Sequence, residues 1–560
     1  MNNPFFSLTC FDGDKKIKTA GAAGADYIVD IKIDGNRLFA TLTAKKTLRL
    51  FKAELDFNYH YPCGCSVFGN GYQSWTTTKE YKKTDRMQDI TPIAALDSLN
   101  KLAGISSDCR FVDTPSEKGL FISHCYTYIR NGENMYLIGS LSEKQGFTVF
   151  YLNMNRNILT ASKDLEGVTL QPGDSYTLFE LADFSGGYDE VFDGYFTAMG
   201  LKEPRIKHLS GYTSWYNYFQ KIDEDIILRD LNALDDCRDS VSIFQIDDGY
   251  ESFVGDWCDM RCDRFPNGMG YIADEIHKKG YMAGIWLAPF NVQIKSRTYR
   301  QHPDWVIKDD NGRPLLGCAG WGGAYTLDIY NPDAREYIKG FFNTVLNKWG
   351  YDMVKLDFLY SQCMYPRGNK SRGEIMCEAM EFLRECCGDK LVLGCGVPLG
   401  AAFGYVDACR ISCDVDLKYG GKFYNYLHVN NEIPSAQNAI TNSVFRRHLD
   451  GRAFCNDPDV FFLRYTNLDF SLEQKELLGL VNHIFGNVLF VSDDAGEYTS
   501  YEKELIKKFF VKSDFKVLSA ECSTGDLFEI KLQKGDKTAA LRFNLRTGNS
   551  NAKEIIAMLD

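Results

Sequence analysis

Over its first two hundred residues the chain alternates apolar and polar side chains in short bursts. Tyr27-Ile28-Val29-Asp30-Ile31-Lys32-Ile33 and Phe147-Thr148-Val149-Phe150-Tyr151-Leu152 are two of them, separated by turn formers such as Asp34-Gly35-Asn36. A period of two turns one face of each run to a core and the other to water, which predicts a β-sandwich over residues 1–200. Near Leu201-Lys202-Glu203-Pro204 the pattern changes to continuous apolar runs alternating with amphipathic stretches, the sign of parallel strands covered by helices. Eight such runs can be counted, at 211–215, 243–250, 282–290, 353–360, 391–397, 408–415, 453–463 and 488–493. Helical periodicity falls between most of them, as at 224–238, 334–348, 372–386 and 472–485. The predicted class is α/β, a (β/α)8 barrel over 201–495. After a helix-like start the chain returns to strand-like runs at 526–533 and 538–544, so a small C-terminal β-domain is expected over 496–560.

Composition narrows the partners. With 560 residues and 44% hydrophobic side chains, the chain can bury the cores of two or three domains. Its net charge of −12 argues against nucleic acid and anionic membranes, whose binding needs a basic surface, and leaves a neutral substrate easier to accept. The eighteen cysteines are scattered, without the dense framework of a small secreted domain, and are expected to be reduced. Cys63-Gly64-Cys65 and the Cys258/Cys262 pair lack a second pair or histidines at finger-like spacing, so no metal is expected. No basic leader or membrane-length apolar run is visible, and the cytoplasm is the expected location. Monomer and homo-oligomer are equally compatible with this surface.

Candidate chemistry collects at the strand ends, where barrels of this kind carry their active sites. Val354-Lys355-Leu356-Asp357-Phe358 and Arg410-Ile411-Ser412-Cys413-Asp414 each deliver a carboxylate from the end of a run. Two carboxylates on separate strands suit glycoside cleavage, one attacking or shielding the anomeric centre while the other moves the proton. Asp247-Asp248, Trp286, Cys395 and Asn456-Asp457-Pro458-Asp459 stand at other strand ends. Each has a plainer explanation. An aspartate pair after a strand is usually a turn or helix cap, a lone tryptophan is usually core, and Arg410 with Asp414 could be an ordinary ion pair. Lys355 is harder to set aside, because an ammonium among Val, Leu and Phe needs an acidic partner, and Asp357 shares its face of the strand.

Taken together, Ser214-Trp215-Tyr216-Asn217-Tyr218-Phe219, Gln245-Ile246-Asp247-Asp248-Gly249-Tyr250, Gly255-Asp256-Trp257, Phe265-Pro266-Asn267-Gly268, Gly284-Ile285-Trp286-Leu287-Ala288-Pro289-Phe290, Lys355-Leu356-Asp357-Phe358, Gly394-Cys395-Gly396, Arg410 with Asp414, and Asn456-Asp457-Pro458-Asp459 resemble the α-galactosidases (melibiases) of glycoside hydrolase family 36 in order and spacing. Asn70-Gly71-Tyr72-Gln73-Ser74-Trp75 looks like that family's N-terminal motif. The resemblance implies a retaining hydrolase of terminal α-linked galactose in melibiose- or raffinose-type oligosaccharides or in glycoconjugates, working without metal or organic cofactor. By it, Asp357 matches the nucleophile and Asp414 the general acid/base. Asp247 and Asp248 would accept from the 4- and 6-hydroxyls, Lys355 would donate to the 3- and 4-hydroxyls, and Arg410 and Cys395 would lie near the 2-position. Trp215, Tyr216, Trp257 and Trp286 would wall the pocket, with Trp75 reaching in from the N-terminal domain. Retention expects the two carboxyl groups roughly 5–5.5 Å apart. Lys355 is expected to keep Asp357 ionised, and a less cation-rich setting to let Asp414 hold its proton.

The chain departs from the family in one place: Ser412-Cys413 stands where many members carry Gly-Pro, beside the implied 2-position. An α-N-acetylgalactosaminidase or α-galactosaminidase is therefore a second expectation with the same catalytic pair. A transglycosylating relative and a non-catalytic sugar-binding barrel are further alternatives. No Walker loop, strand-linked Gly-x-Gly-x-x-Gly, His-Glu-x-x-His or Gly-x-Ser-x-Gly elbow is present.

Overall fold

The computed structural model describes residues 1, 3–87, 112–422 and 433–559. Two seven-stranded antiparallel sheets occupy the N-terminal part, reaching from the strand Phe5–Asp12 to the strand Ser175–Gly186. Their facing residues, among them Leu8, Leu50 and Leu55 from one sheet and Val29, Leu42 and Leu181 from the other, form one closed core. The alternation legible in the sequence is realised residue by residue: along Arg37–Ala44 every second side chain is buried. Phe68, Tyr126, Tyr128 and Leu137 on the second sheet belong instead to the core of the following domain, reached through the helix Tyr188–Ala198.

That domain is the parallel barrel. Its strands are β1 (Leu209–Thr213), β2 (Ile243–Ile246), β3 (Met282–Leu287), β4 (Met353–Leu356), β5 (Leu391–Gly394), β6 (Ala408–Arg410), β7 (Cys455–Asp457), β8 (Val460–Phe461) and β9 (Val488–Val491). The order in the sheet is β7-β6-β5-β4-β3-β2-β1-β9-β8, all parallel. The run expected at 453–463 as a single seventh stave is broken into β7 and β8. Pro458 has no N–H to give a ladder, and Asp459 takes a left-handed φ of +78°. Because β7 pairs with β6 and β8 with β9, the ring closes through this two-residue link.

The helices expected from periodicity are present and start where their caps dictate. Asn331 caps Pro332–Asn343, with proline at the first helical position, and Ser371 caps Arg372–Cys387. Ser471 and Gln474 form a reciprocal capping box at the head of Leu472–Phe485. The helix expected at 224–238 is shorter, Glu224–Ala233, followed by a 3-10 turn over Leu234–Ser240. A long excursion after β3 adds a small antiparallel sheet of Asn291–Gln293, Leu316–Cys318 and Ala324–Thr326 above the strand ends. The C-terminal sheet, Lys516–Ser523, Leu527–Lys534 and Lys537–Asn544, packs Phe528, Ile530 and Phe543 into the barrel's own core. Among the described residues no helix is long and apolar enough to cross a membrane.

Candidate active site

The parallel strands point their C-terminal ends the same way, and the polar residues converge there. Asp357 follows the last residue of β4, its amide donating to Leu287 O of β3 at 2.9 Å. The chain then turns sharply at Phe358, whose φ is +52°. This turn aims the carboxylate: Oδ1 accepts from the Phe358 amide at 2.7 Å and Oδ2 from Trp286 Nε1 at 3.2 Å.

Lys355 makes its close ion pair elsewhere than expected. Its side chain lies beside Trp286 in register and reaches on to Asp247 at the end of β2, with Nζ 2.9 Å from Oδ2. Asp357 stands one residue past the paired strand, so their shared face does not bring them into direct contact. Burial opposes the charge on Lys355, but the Asp247 carboxylate outweighs it and holds the ammonium above its usual range. Gln245 Nε2 (2.9 Å) and the Asp248 amide (2.9 Å) complete the hold on Asp247. Asp248, also buried, accepts from Gln220 Nε2 at 2.8 Å and from Trp321 Nε1 at 2.9 Å. Burial raises its affinity for a proton, and hydrogen bonds from Glu251, Trp321 and Gln220 oppose that. Glu251 is itself pushed well above the carboxylate range by burial and by Asp248. Gly249 permits this crowding: at φ +128°, a Cβ there would fall 2.8 Å from the Gln220 Cα.

Cys395 is the first residue past β5, the strand that lies between β4 and β6 in the sheet. Burial drives its thiol well above its usual range, and the charges of Asp357 and Asp414 add to the push while Arg410 and Lys355 oppose it. Asp414 is half-buried and sits directly on Arg410, Nη1 to Oδ1 2.9 Å. A guanidinium thus stands against Asp414, where a less cation-rich setting than that of Asp357 was expected. Arg410 simultaneously meets Asp457 through Nε (3.1 Å) and Asp459 through Nη2 (2.7 Å).

The aromatic residues sort into two layers. Trp286 packs 5.7 Å from Trp257 and 6.0 Å from Trp321, ring centre to ring centre. Trp257, expected in the wall, is wedged behind Trp286 against Phe341 and is fully buried. Tyr216 is buried as well, its ring against Phe462 and its hydroxyl donating to Asp459. Trp215 is half-buried, edge-on to the exposed Phe219. Trp75 does come in from the N-terminal domain, packing with Tyr360, Met364 and Cys413. Gly396 makes room for it, since a Cβ there would lie 3.1 Å from the indole.

Sequence reasoning missed Trp321, Gln220 and Glu251, and it named Asp459 among the strand-end suspects without giving it a role. Asp459 carried a signal in Asn456-Asp457-Pro458-Asp459. Trp321 carried a fainter one, an aromatic between glycines in Gly320-Trp321-Gly322-Gly323, in the loop after a barrel strand.

Residues 214–374 match a family model described as Melibiase. The chain is 31% identical over 160 residues to the A type blood alpha-D-galactosamine galactosaminidase of Flavonifractor plautii, covering 27% of this chain and 15% of that one. It is 28% identical over 124 residues to alpha-galactosidase Mel36A of Lactobacillus acidophilus, covering 21% and 16%. The matches thus span less than a fifth of these relatives' lengths. Among solved structures, the alpha-galactosidase TtGalA of Thermus thermophilus, in complex with p-nitrophenyl alpha-D-galactopyranoside, superposes with a TM-score of 0.71 at 24% identity. That likeness of fold covers 95% of this chain and 98% of the other.

Proposed function

We propose, from the match of residues 214–374 to the Melibiase family model, that the protein is a retaining α-galactosidase releasing terminal α-linked galactose from oligosaccharides. The observation that supports this reading is that Asp357, just past β4, and Asp414, four residues past β6, both follow C-terminal ends of the parallel barrel strands, where the Lys355–Asp247 and Arg410–Asp414 ion pairs also stand. Asp357, held by the Trp286 indole and the Phe358 amide, attacks the anomeric carbon and displaces the aglycone as a covalent glycosyl-enzyme forms. Asp414 gives its proton to the departing oxygen, then takes one from the water that releases galactose. Asp247 and Asp248 accept from the 4- and 6-hydroxyls, Lys355 donates to the 3- and 4-hydroxyls, and Arg410 and Cys395 face the 2-position. Buried carboxylates of this kind discriminate epimers, because a sugar lacking the matching hydroxyl leaves them unpaired. The same reading places the reaction in the cytoplasm, where the thiols stay reduced.

The test is Asp357→Ala. Turnover of an aryl α-galactoside should fall at least a thousand-fold, on the order seen when a nucleophile is removed, with the fold retained. Added azide should restore part of it and yield the β-galactosyl azide. Undiminished turnover in the variant would falsify the assignment.

A second reading, an α-N-acetylgalactosaminidase or α-galactosaminidase, is favoured by one feature of the pocket. Ser412 and Cys413, not Gly-Pro, precede Asp414, and the Ser412 hydroxyl is tied back to Pro458 O at 2.8 Å. The likeness to the Flavonifractor plautii enzyme points the same way. Comparing kcat/KM for p-nitrophenyl α-galactoside with its 2-acetamido and 2-amino analogues decides between them.

A further inference from the structure

The acid/base stands in an awkward place. An acid must hold its proton until the leaving oxygen needs it, yet Asp414 lies 2.9 Å from a guanidinium, and a neighbouring cation favours the ionised carboxylate. Arg410 is not free to act on Asp414 alone. Each of its three nitrogens meets a different carboxylate: Nη1 Asp414, Nε Asp457 and Nη2 Asp459. The last two are fully buried. Three carboxylates around one buried cation cannot all be charged without a large desolvation cost, so the cluster retains a proton.

Asp459 is where the structure has invested to make this cluster. It occupies the break between β7 and β8 with a left-handed φ of +78°, a conformation a non-glycine residue keeps only when its surroundings demand it. Its amide donates to Asp457 Oδ1 (2.9 Å), its carbonyl accepts from Asn482 Nδ2 (2.9 Å), and Oδ2 accepts from the Val415 amide (2.7 Å) and the Tyr216 hydroxyl. The titratable groups facing it are Arg410, Asp414, Asp457 and Tyr216. Burial pushes its carboxyl up to about 7; Arg410 and Tyr216 pull it down, and Asp414 and Asp457 add to the push.

We propose that Asp459 is a positioning residue for the acid step: by competing with Asp414 for the charge of Arg410, it lets Asp414 keep the proton that the leaving oxygen requires. This rests on the reading of Asp414 as the general acid/base. Asp459 touches no substrate in this role. As pH rises and Asp459 ionises, its charge opposes the loss of the Asp414 proton and extends activity to higher pH.

Asp459→Asn, near-isosteric and permanently neutral, tests it. The alkaline limb of kcat/KM for melibiose, whose leaving sugar needs the acid, should move down by roughly half a pH unit or more. For 2,4-dinitrophenyl α-galactoside, whose leaving group departs unprotonated, kcat/KM should change far less. A purely structural defect lowers both substrates alike and leaves the limb in place, and that result overturns the proposal. A second readout needs no activity. Asp459 carries a raised folded value against about 4 unfolded, so its contribution to stability is present at low pH and is lost as pH rises through 7. The melting temperature of the Asn variant relative to wild type should therefore climb between pH 5 and pH 8, and a flat difference also overturns the proposal. Should the Asn variant not fold, Tyr216→Phe removes one donor from Asp459, favours its neutral form and should move the limb the same way; an unmoved limb there counts against the proposal. If the wild type cleaves no α-galactoside, the functional reading fails, while the melting comparison still decides the state of Asp459.

Discussion

At the level of single residues, the pocket is a set of carboxylates each given a different environment. Asp357 takes a backbone amide and an indole, Asp247 a buried ammonium, Asp248 an amide side chain and a second indole, and Asp414 a shared guanidinium. Trp321 is the member whose loss should be most informative. Its Nε1 is a neutral donor to a buried carboxylate, an interaction worth about 1.5–3 kcal/mol. Trp321→Phe keeps the ring that packs on Trp286 and Phe358 but removes that donor. We expect kcat/KM for an aryl α-galactoside to drop about 10- to 100-fold, mostly through KM, with the melting temperature nearly unchanged. Equal kinetics in the two proteins would show that Asp248 needs no help from this loop. Lys355 and Asp357 could be found from sequence because strand alternation and apolar neighbours expose a misplaced charge, whereas Asp247 was singled out only by the family resemblance. Trp321 could not, because nothing local says which way a glycine-flanked loop folds.

At the level of elements, most barrel strands and helices follow from periodicity and caps, since those signals are local. The break of the seventh stave does not, although Pro458 marks it, because whether a proline ends a strand or interrupts it depends on the partner strands. The contact between the N-terminal loop and the barrel is still less local. Arg446, fully buried, donates to the carbonyls of Gly71, Gln73 and Ser74 on one side and of Ile411 on the other. It thereby fastens the loop that carries Trp75 to the segment between β6 and Asp414. Arg446→Met leaves several buried carbonyls without a partner, at ~1–3 kcal/mol each. Denaturant unfolding should show a loss of about 3 kcal/mol or more, and variant that remains folded should turn over galactoside more slowly as Trp75 loses its anchor. An unchanged midpoint would mean that the loop is held by other contacts.

Across the whole molecule, the domains are joined through buried polar groups that respond to pH. His448, near the end of the barrel sequence, stacks on Phe192 at 3.9 Å and takes Tyr126 and Tyr188 hydroxyls on its two ring nitrogens. Burial, with Arg447, Arg452 and Arg446 nearby, drives its pKa well below the ordinary histidine value. The unfolded chain, with histidine near about 6.5, therefore binds a proton that the native chain refuses, and this stabilisation is lost as pH falls below that value. Relative to His448→Gln, which does not titrate, wild-type stability should decline by about 1.4 kcal/mol per pH unit below 6.5. Thermal melts of both proteins at pH 5 and 7.5 measure it, and a gap that stays constant with pH would contradict it. What the sequence determined by itself is whatever short-range patterning encodes: a β-sandwich, a parallel barrel, a C-terminal β-domain, and two carboxylates at the ends of separate strands. The tertiary structure alone decided which charge meets which. Lys355 went to Asp247, and Arg410, which the sequence had already offered as a partner for Asp414, went to Asp457 and Asp459 as well. Ion pairing acts across a few ångströms of space between residues that can stand far apart in the chain, and no local periodicity records it.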